Sequence, residues 1–365
     1  MNLQTFREAL SKAKLPEKAI ILPIFKKVLP IIPFAISFLI LYYLYPASFE
    51  STWKGRTFYL FFLWLIAVET ILNWEELTTA KWKLKSAKTV LTILVCLLPI
   101  VYVIVANFSG LNALIADVST KIKVGGLSDP NAIAIFANLM PLTIEYLVFT
   151  ILFVIMLLVG YEMSYVRKYA ISAIFLGLIG LIYMSDNLYP NGKWTPMQLP
   201  VFPTTNLAAN ILSSMGFKTT ISIRQPTPEH GLMPYLLVQD PANPYVRWAG
   251  FLIGWPCAGV ESLLIYTITI LLFLSKSTIP LKVKAVYFAF GAVVTYFINI
   301  LRIVTIFRIA IDGGDWGTFH DYYGQLYSIS WIISYPLILI GISLLWAKIK
   351  ERKVNAKVTP IVVPK

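Results

Sequence analysis

The run 249-AGFLIGWPCAGVE-261 is apolar enough for a membrane helix, yet Gly254, Pro256, Cys257 and Gly259 crowd into six of its residues. Proline removes a backbone donor and glycine relaxes the backbone, so this density of both interrupts a helix. In hydrocarbon, a broken backbone survives only where protein or a water-filled cavity satisfies the freed N–H and C=O groups. A break beside a thiol therefore points to a site, provided that the surrounding chain is itself built for a bilayer.

It is. Of 365 residues, 58% are hydrophobic and only 13% charged, which excludes an ordinary soluble domain and predicts an all-α polytopic membrane protein. The net charge of +13 is not that of a nucleic-acid binder, because the lysines and arginines sit in short clusters between apolar runs. Cys96 and Cys257 are far apart in apolar segments, and His230 and His320 are the only histidines. That set predicts neither a disulfide framework nor a metal centre, and nothing calls for a cofactor.

Apolar segments long enough to cross the bilayer fall near 28–46, 57–73, 88–106, 141–161, 168–186, 246–274, 281–311 and 323–347, which makes eight spans. Five regions follow: a basic arm at 1–27, spans one to five within 28–186, a polar connection at 187–246, spans six to eight within 247–347, and a basic tail at 348–365. The arm is too long and has too many spaced lysines for a secretory signal, and no small-residue cleavage site follows the first apolar run. With the N-terminus inside, 21 of the 31 Lys and Arg lie in inner connections and eight in outer ones. This asymmetry predicts a multi-pass cell-membrane protein with both termini cytoplasmic.

The 187–246 connection is predicted to fold as a small extracytoplasmic cap. Thr204 to Met215 has helical apolar spacing, Thr219 to Arg224 and Tyr235 to Val238 look like strands, and Pro226, Pro228 and Gly231 mark the turn between them. The outer connection at 107–140 is expected to lie at the interface. No internal repeat is evident, which weighs against a transporter built from inverted halves.

Ionisable groups inside spans cost roughly 2.5 to 3.5 kcal/mol each on insertion scales, so they are functional candidates. They are Glu69, Glu145, Glu261, Arg302 and Arg308, with Glu162 and Asp186 at span edges. A helical sixth span would put Cys257 about 16 Å below the outer edge, and the seventh would put Arg302 at about 14 Å. His320 follows on the same outer side, so the three can converge in a cavity opening outward. Asn299 shares a helical face with Arg302, and Glu261 follows Cys257 by four residues, which makes both candidate supporting partners.

The chemistry is coherent. A nearby guanidinium or imidazolium lowers a thiol's pKa, and histidine can carry the proton during acyl transfer. Arginine can hold a developing oxyanion or a carboxylate. Plainer readings stand beside these: a membrane cysteine is most often a small core residue, as expected for Cys96. By the same reasoning His230 is a solvated loop histidine, Arg302 a counter-ion to Glu261, and Arg308 a snorkelling interfacial cation. Tyr42 to Tyr45 and Trp346 read as an interfacial belt.

Three local motifs, PCAGVES at 256–262, NILRI at 299–303 and FHDYYG at 319–324, resemble in type and order those of the exosortase and archaeosortase family of membrane transpeptidases. The resemblance covers roughly the second half of the chain; the first half agrees only in having many spans. It implies a catalytic Cys257 completed by Arg302 and His320, acting as sortases do on an unrelated fold. The implied partners are C-terminal tails of exported surface proteins, cleaved through a thioacyl intermediate and passed to membrane lipid or another acceptor. Some archaeal members carry arginine at the third position, so His320 looks more like the exosortase pattern. Two alternatives from other classes stay open: a carrier or flippase of a lipid-linked anionic substrate, and a purely hydrolytic intramembrane peptidase.

Overall fold

The computed structural model describes residues 27–51, 54–74, 77, 87–161, 163–190, 193, 198–225, 231–277 and 279–358. The arm at 1–26, Glu162, the expected hairpin turn at 226–230 with His230, and the last residues of the tail lie outside them, as does the Trp346 side chain. The chain forms two compact units, Met1–Leu188 and Tyr189–Lys365.

The first unit is helical: α1 (Ile32–Leu44), α2 (Pro46–Glu50), α3 (Thr57–Leu72), α4 (Ala87–Phe108), α5 (Leu111–Lys121), α6 (Pro130–Gly160), α7 (Met163–Lys168) and α8 (Ala170–Leu188). The expected interfacial connection at 107–140 is largely helix: it contains α5 and the first turns of α6, which starts at Pro130 where Asp129 caps it by accepting from the Asn131 N–H. The core is aromatic. Phe38 stacks on Tyr59 with centroids 4.3 Å apart, and Phe34, Phe62, Phe149 and Phe153 meet edge to face around them.

Several buried ionisable groups of this unit are paired. Arg56 donates from Nε and Nη2 to the two carboxylate oxygens of Glu145 at 2.8 and 3.0 Å, and the Tyr59 hydroxyl donates to the same carboxylate. Lys54 pairs with Asp186 at 2.6 Å. Glu69 accepts from the Ile171 and Ser172 N–H groups and from the Ser172 hydroxyl, satisfying donors at the start of α8. Lys54 and Arg56, which the sequence places among outer-loop charges, are thus buried ion-pair partners.

The second unit runs α9 (Val201–Ser214), β1 (Lys218–Arg224), β2 (Met233–Gln239), β3 (Trp248–Leu252), α10 (Val260–Lys276), α11 (Leu281–Ile311) and α12 (Gly324–Val358). The cap carries the expected helix and two expected strands, and the strands pair antiparallel from Lys218 opposite Gln239 to Arg224 opposite Met233. A third strand was not expected. Residues 248–252, read as the start of a sixth span, pair instead with β2, Leu252 opposite Tyr235 and Trp248 opposite Gln239. In the central strand Leu236 and Val238 are fully buried, while α9 packs on the sheet with Ala208 and Leu212 inward.

The described residues contain four helices long and apolar enough to cross a membrane: Val90–Phe108, Pro130–Gly160, Ala170–Leu188 and Leu281–Ile311. Ile32–Leu44, Thr57–Leu72 and Val260–Ser275 are shorter apolar helices. The structure therefore supports a mostly helical membrane protein at a coarser level than the eight expected spans. The sixth expected span shortens for a physical reason: β3 takes its first residues, and helix begins only after Pro256 and Gly259.

Candidate active site

The site is built where β3 hands over to α10. A 3₁₀ turn at Trp255–Ala258 carries Cys257, whose N–H donates to the Gly254 carbonyl at 3.1 Å. Gly259 ends the turn at φ +82°, in the left-handed region, and caps α10. A β-carbon there would also stand 2.8 Å from the Asn299 amide, so glycine answers two constraints at once. Asn299, fully buried on α11, donates from Nδ2 to the Cys257 carbonyl at 2.9 Å and pins the turn to the helix.

Beyond α11, Asp315 caps a helical turn at Trp316–Thr318 by accepting from the Thr318 N–H at 3.0 Å. A π-helical turn, Phe319–Tyr323, then leads into α12. It presents His320 so that Nε2 lies 3.7 Å from the Cys257 Sγ. On its other edge, Nδ1 is 2.7 Å from Asp321 Oδ1. Sharing that proton with the carboxylate fixes the ring and leaves Nε2 for the thiol. His320 was expected in a loop that dips inward; a continuous helical turn places it instead.

Arg302, one turn along α11 from Asn299, donates from Nη2 to the His320 carbonyl at 3.0 Å, and its Nε is buried with no hydrogen-bond partner among the described residues. A β-carbon on Gly324 would approach that Nε to 2.9 Å, so the first residue of α12 must be small. Glu261, in the first turn of α10, is near enough for its charge to act on Arg302.

Electrostatics converge on the thiol. Burial pushes Cys257 up, but the His320 hydrogen bond and the positive charges of His320 and Arg302 outweigh it, so the thiol ends below its ordinary value. The Cys257 contact raises the His320 imidazole above its ordinary value, against burial and with help from Asp321. Together these favour a thiolate–imidazolium pair. Beside it opens an apolar cavity of about 130 Å³ whose lining includes Leu252, Ile306, Phe307 and Trp316, with Cys257 and His320 in its wall.

Cys257, Arg302 and His320 are brought together as the sequence predicts, with Asn299 and Glu261 beside them. The depth count that led there does not apply to Cys257, which sits in a turn ahead of α10 rather than partway along a helix. Arg308 does not simply snorkel: its Nε is 2.9 Å from Asp312, which also pairs with Arg247, while Arg247 holds Asp240 at 2.7 Å. That chain of charges ties the β2–β3 connection to the end of α11. The residue that sequence reasoning passed over is Asp321, present in the FHDYYG motif but not singled out. Comparison with protein families, curated proteins and solved structures finds nothing that matches this chain.

Proposed function

We propose that this protein is a membrane cysteine transpeptidase of the exosortase and archaeosortase type, acting on the C-terminal sorting tails of exported surface proteins at the outer face of the membrane. The observation that carries this reading is the contact between Cys257 Sγ and His320 Nε2, with Asp321 on the far side of the ring. This is a nucleophile facing a base and an orienting carboxylate that come from neighbouring positions far along the chain.

In the proposed reaction the Cys257 thiolate attacks the scissile carbonyl, forming a C–S bond and an oxyanion. Collapse expels the amine of the tail, which takes its proton from the His320 imidazolium, and a thioester remains. An acceptor amine, on a lipid or elsewhere, then attacks the thioester; His320 takes its proton and Cys257 leaves as thiolate. Water in place of the amine gives hydrolysis. Arg302 favours the thiolate through its charge and holds the His320 backbone in place.

The test is processing of tail-bearing surface proteins in cells that carry Cys257→Ala or Cys257→Ser, followed by gel mobility. Accumulation of the unprocessed form is expected, and unchanged processing would sink the assignment. The new C-terminus of the product, read by mass spectrometry, separates transfer from hydrolysis.

A further inference from the structure

The catalytic pair does not stand in open solvent; it forms part of the wall of the cavity between β3 and α11. The rest of the lining is apolar: Phe251 and Leu252 from β3, Ile306 and Phe307 from α11, and Trp316 from the turn before His320. Phe251 is the hinge of this wall, its ring 5.1 Å from Phe307 and 4.6 Å from Trp316. Trp316 and Leu252 are 41% and 38% exposed and stand at the rim, whereas Phe307 is fully buried.

Size limits the occupant. Sites for whole drug-sized ligands run to roughly 300–1,000 Å³. A dry apolar cavity of about 150 Å³ takes one benzene. A space of about 130 Å³ therefore suits one side chain of leucine or phenylalanine size. Because Cys257 is in the wall, an acyl group carried on its sulfur stands beside this space. We propose that the cavity is the specificity pocket of the site, taking a large apolar side chain on the residue whose carbonyl Cys257 attacks. This rests on the reading of Cys257 as nucleophile, and its test is arranged to tell the two apart.

The protein, purified in detergent, would be treated with N-acetyl-glycyl-X chloromethyl ketones with X as glycine, alanine, leucine, phenylalanine, lysine or aspartate. In these reagents the X side chain is on the carbon next to the ketone carbonyl, the position it holds relative to the carbonyl that the thiolate attacks in a peptide, and the thiol is alkylated by the methylene on the carbonyl's other side. Iodoacetamide, which has no side chain, serves as the reference, and labelling of Cys257 is followed by peptide mass mapping. Leucine and phenylalanine reagents are expected to label Cys257 about ten- to a hundred-fold faster than the glycine reagent, the range a hydrophobic pocket can discriminate. Leu252→Trp, which fills the rim, should abolish that advantage. Trp316→Ala should lower it. Both positions are partly exposed, and thermal unfolding of each variant in detergent checks that the fold is kept. Equal rates across X with Cys257 labelled would overturn the pocket and leave the nucleophile standing. Failure of every reagent, iodoacetamide included, to modify Cys257 would overturn both.

Discussion

Cys257 and His320 are 63 positions apart, on opposite sides of a 31-residue helix in the chain, yet Sγ lies 3.7 Å from Nε2. Two backbone anchors on that helix set the distance: Asn299 holds the Cys257 carbonyl, and Arg302, three residues on, holds the His320 carbonyl. The spacing of one helical turn on α11 is thus converted into the spacing of thiol and imidazole.

The pH dependence follows from the directions of the two shifts. Cys257 titrates below its ordinary value and His320 above it. The ion pair is present between the lowered thiol pKa and the raised imidazole pKa, so alkylation of Cys257 by iodoacetamide should set in at lower pH than for a free thiol, whose pKa is about 8.5. It should fall on acidification as the thiolate takes up its proton. In His320→Ala the rate profile should move to higher pH, toward an ordinary thiol. A profile identical in both proteins would show that the imidazole does not act on the sulfur.

Asp321→Asn should lower turnover by about tenfold. A buried orienting carboxylate is worth about 10⁴ in a serine protease, but the Asp321 side chain is 82% exposed and solvent screens its charge. The same variant should lower the imidazole pKa, which histidine NMR can read. Turnover and imidazole pKa both unchanged would remove Asp321 from the site.

Gly259→Ala places a β-carbon 2.8 Å from the Asn299 side chain and a left-handed φ on an L-residue. The conformation alone costs about 1–2 kcal/mol. Loss of the buried Asn299 hydrogen bond costs about 1–3 kcal/mol in Asn299→Ala. Thermal unfolding in detergent should show both, and the two effects should be less than additive in the double variant, because both act on one turn. Full additivity would mean that Gly259 and Asn299 are not coupled.

Arg56→Ala strands Glu145 without its bidentate partner inside the first unit. Breaking a buried pair on one side costs about 3–5 kcal/mol, whereas replacing both charges by apolar groups of similar volume is close to neutral. Arg56→Met with Glu145→Leu should therefore be more stable than Arg56→Ala alone, as chemical denaturation of the purified protein would measure. A double variant as unstable as the single one would mean that the pair does more than neutralise itself.

Much of the site is legible in the sequence because polar residues are conspicuous in an apolar chain. Cys257 beside a glycine–proline break, Arg302 inside a long apolar helix and His320 just past it announce themselves. Asp321 does not, since a carboxylate next to a loop histidine looks like an ordinary solvated residue until Nδ1 is seen against it. β3 is hidden for a different reason: Trp248 to Leu252 is as apolar as a span, and only its pairing partner, distant in sequence until the chain folds, makes it a strand. Lys54 and Arg56 mislead in the opposite direction. Position in a short connection suggests solvent, but Asp186 and Glu145 draw them inward.

In the proposed reaction Cys257 carries the acyl group. The most direct measurement is peptide mass mapping of the protein taken from cells that also express a tail-bearing surface protein, with and without hydroxylamine. A hydroxylamine-labile acyl adduct is expected on Cys257 and none on Cys96, lost in Cys257→Ala together with processing of the surface protein. Normal processing in Cys257→Ala, with no adduct on Cys257 in the unaltered protein, would contradict it.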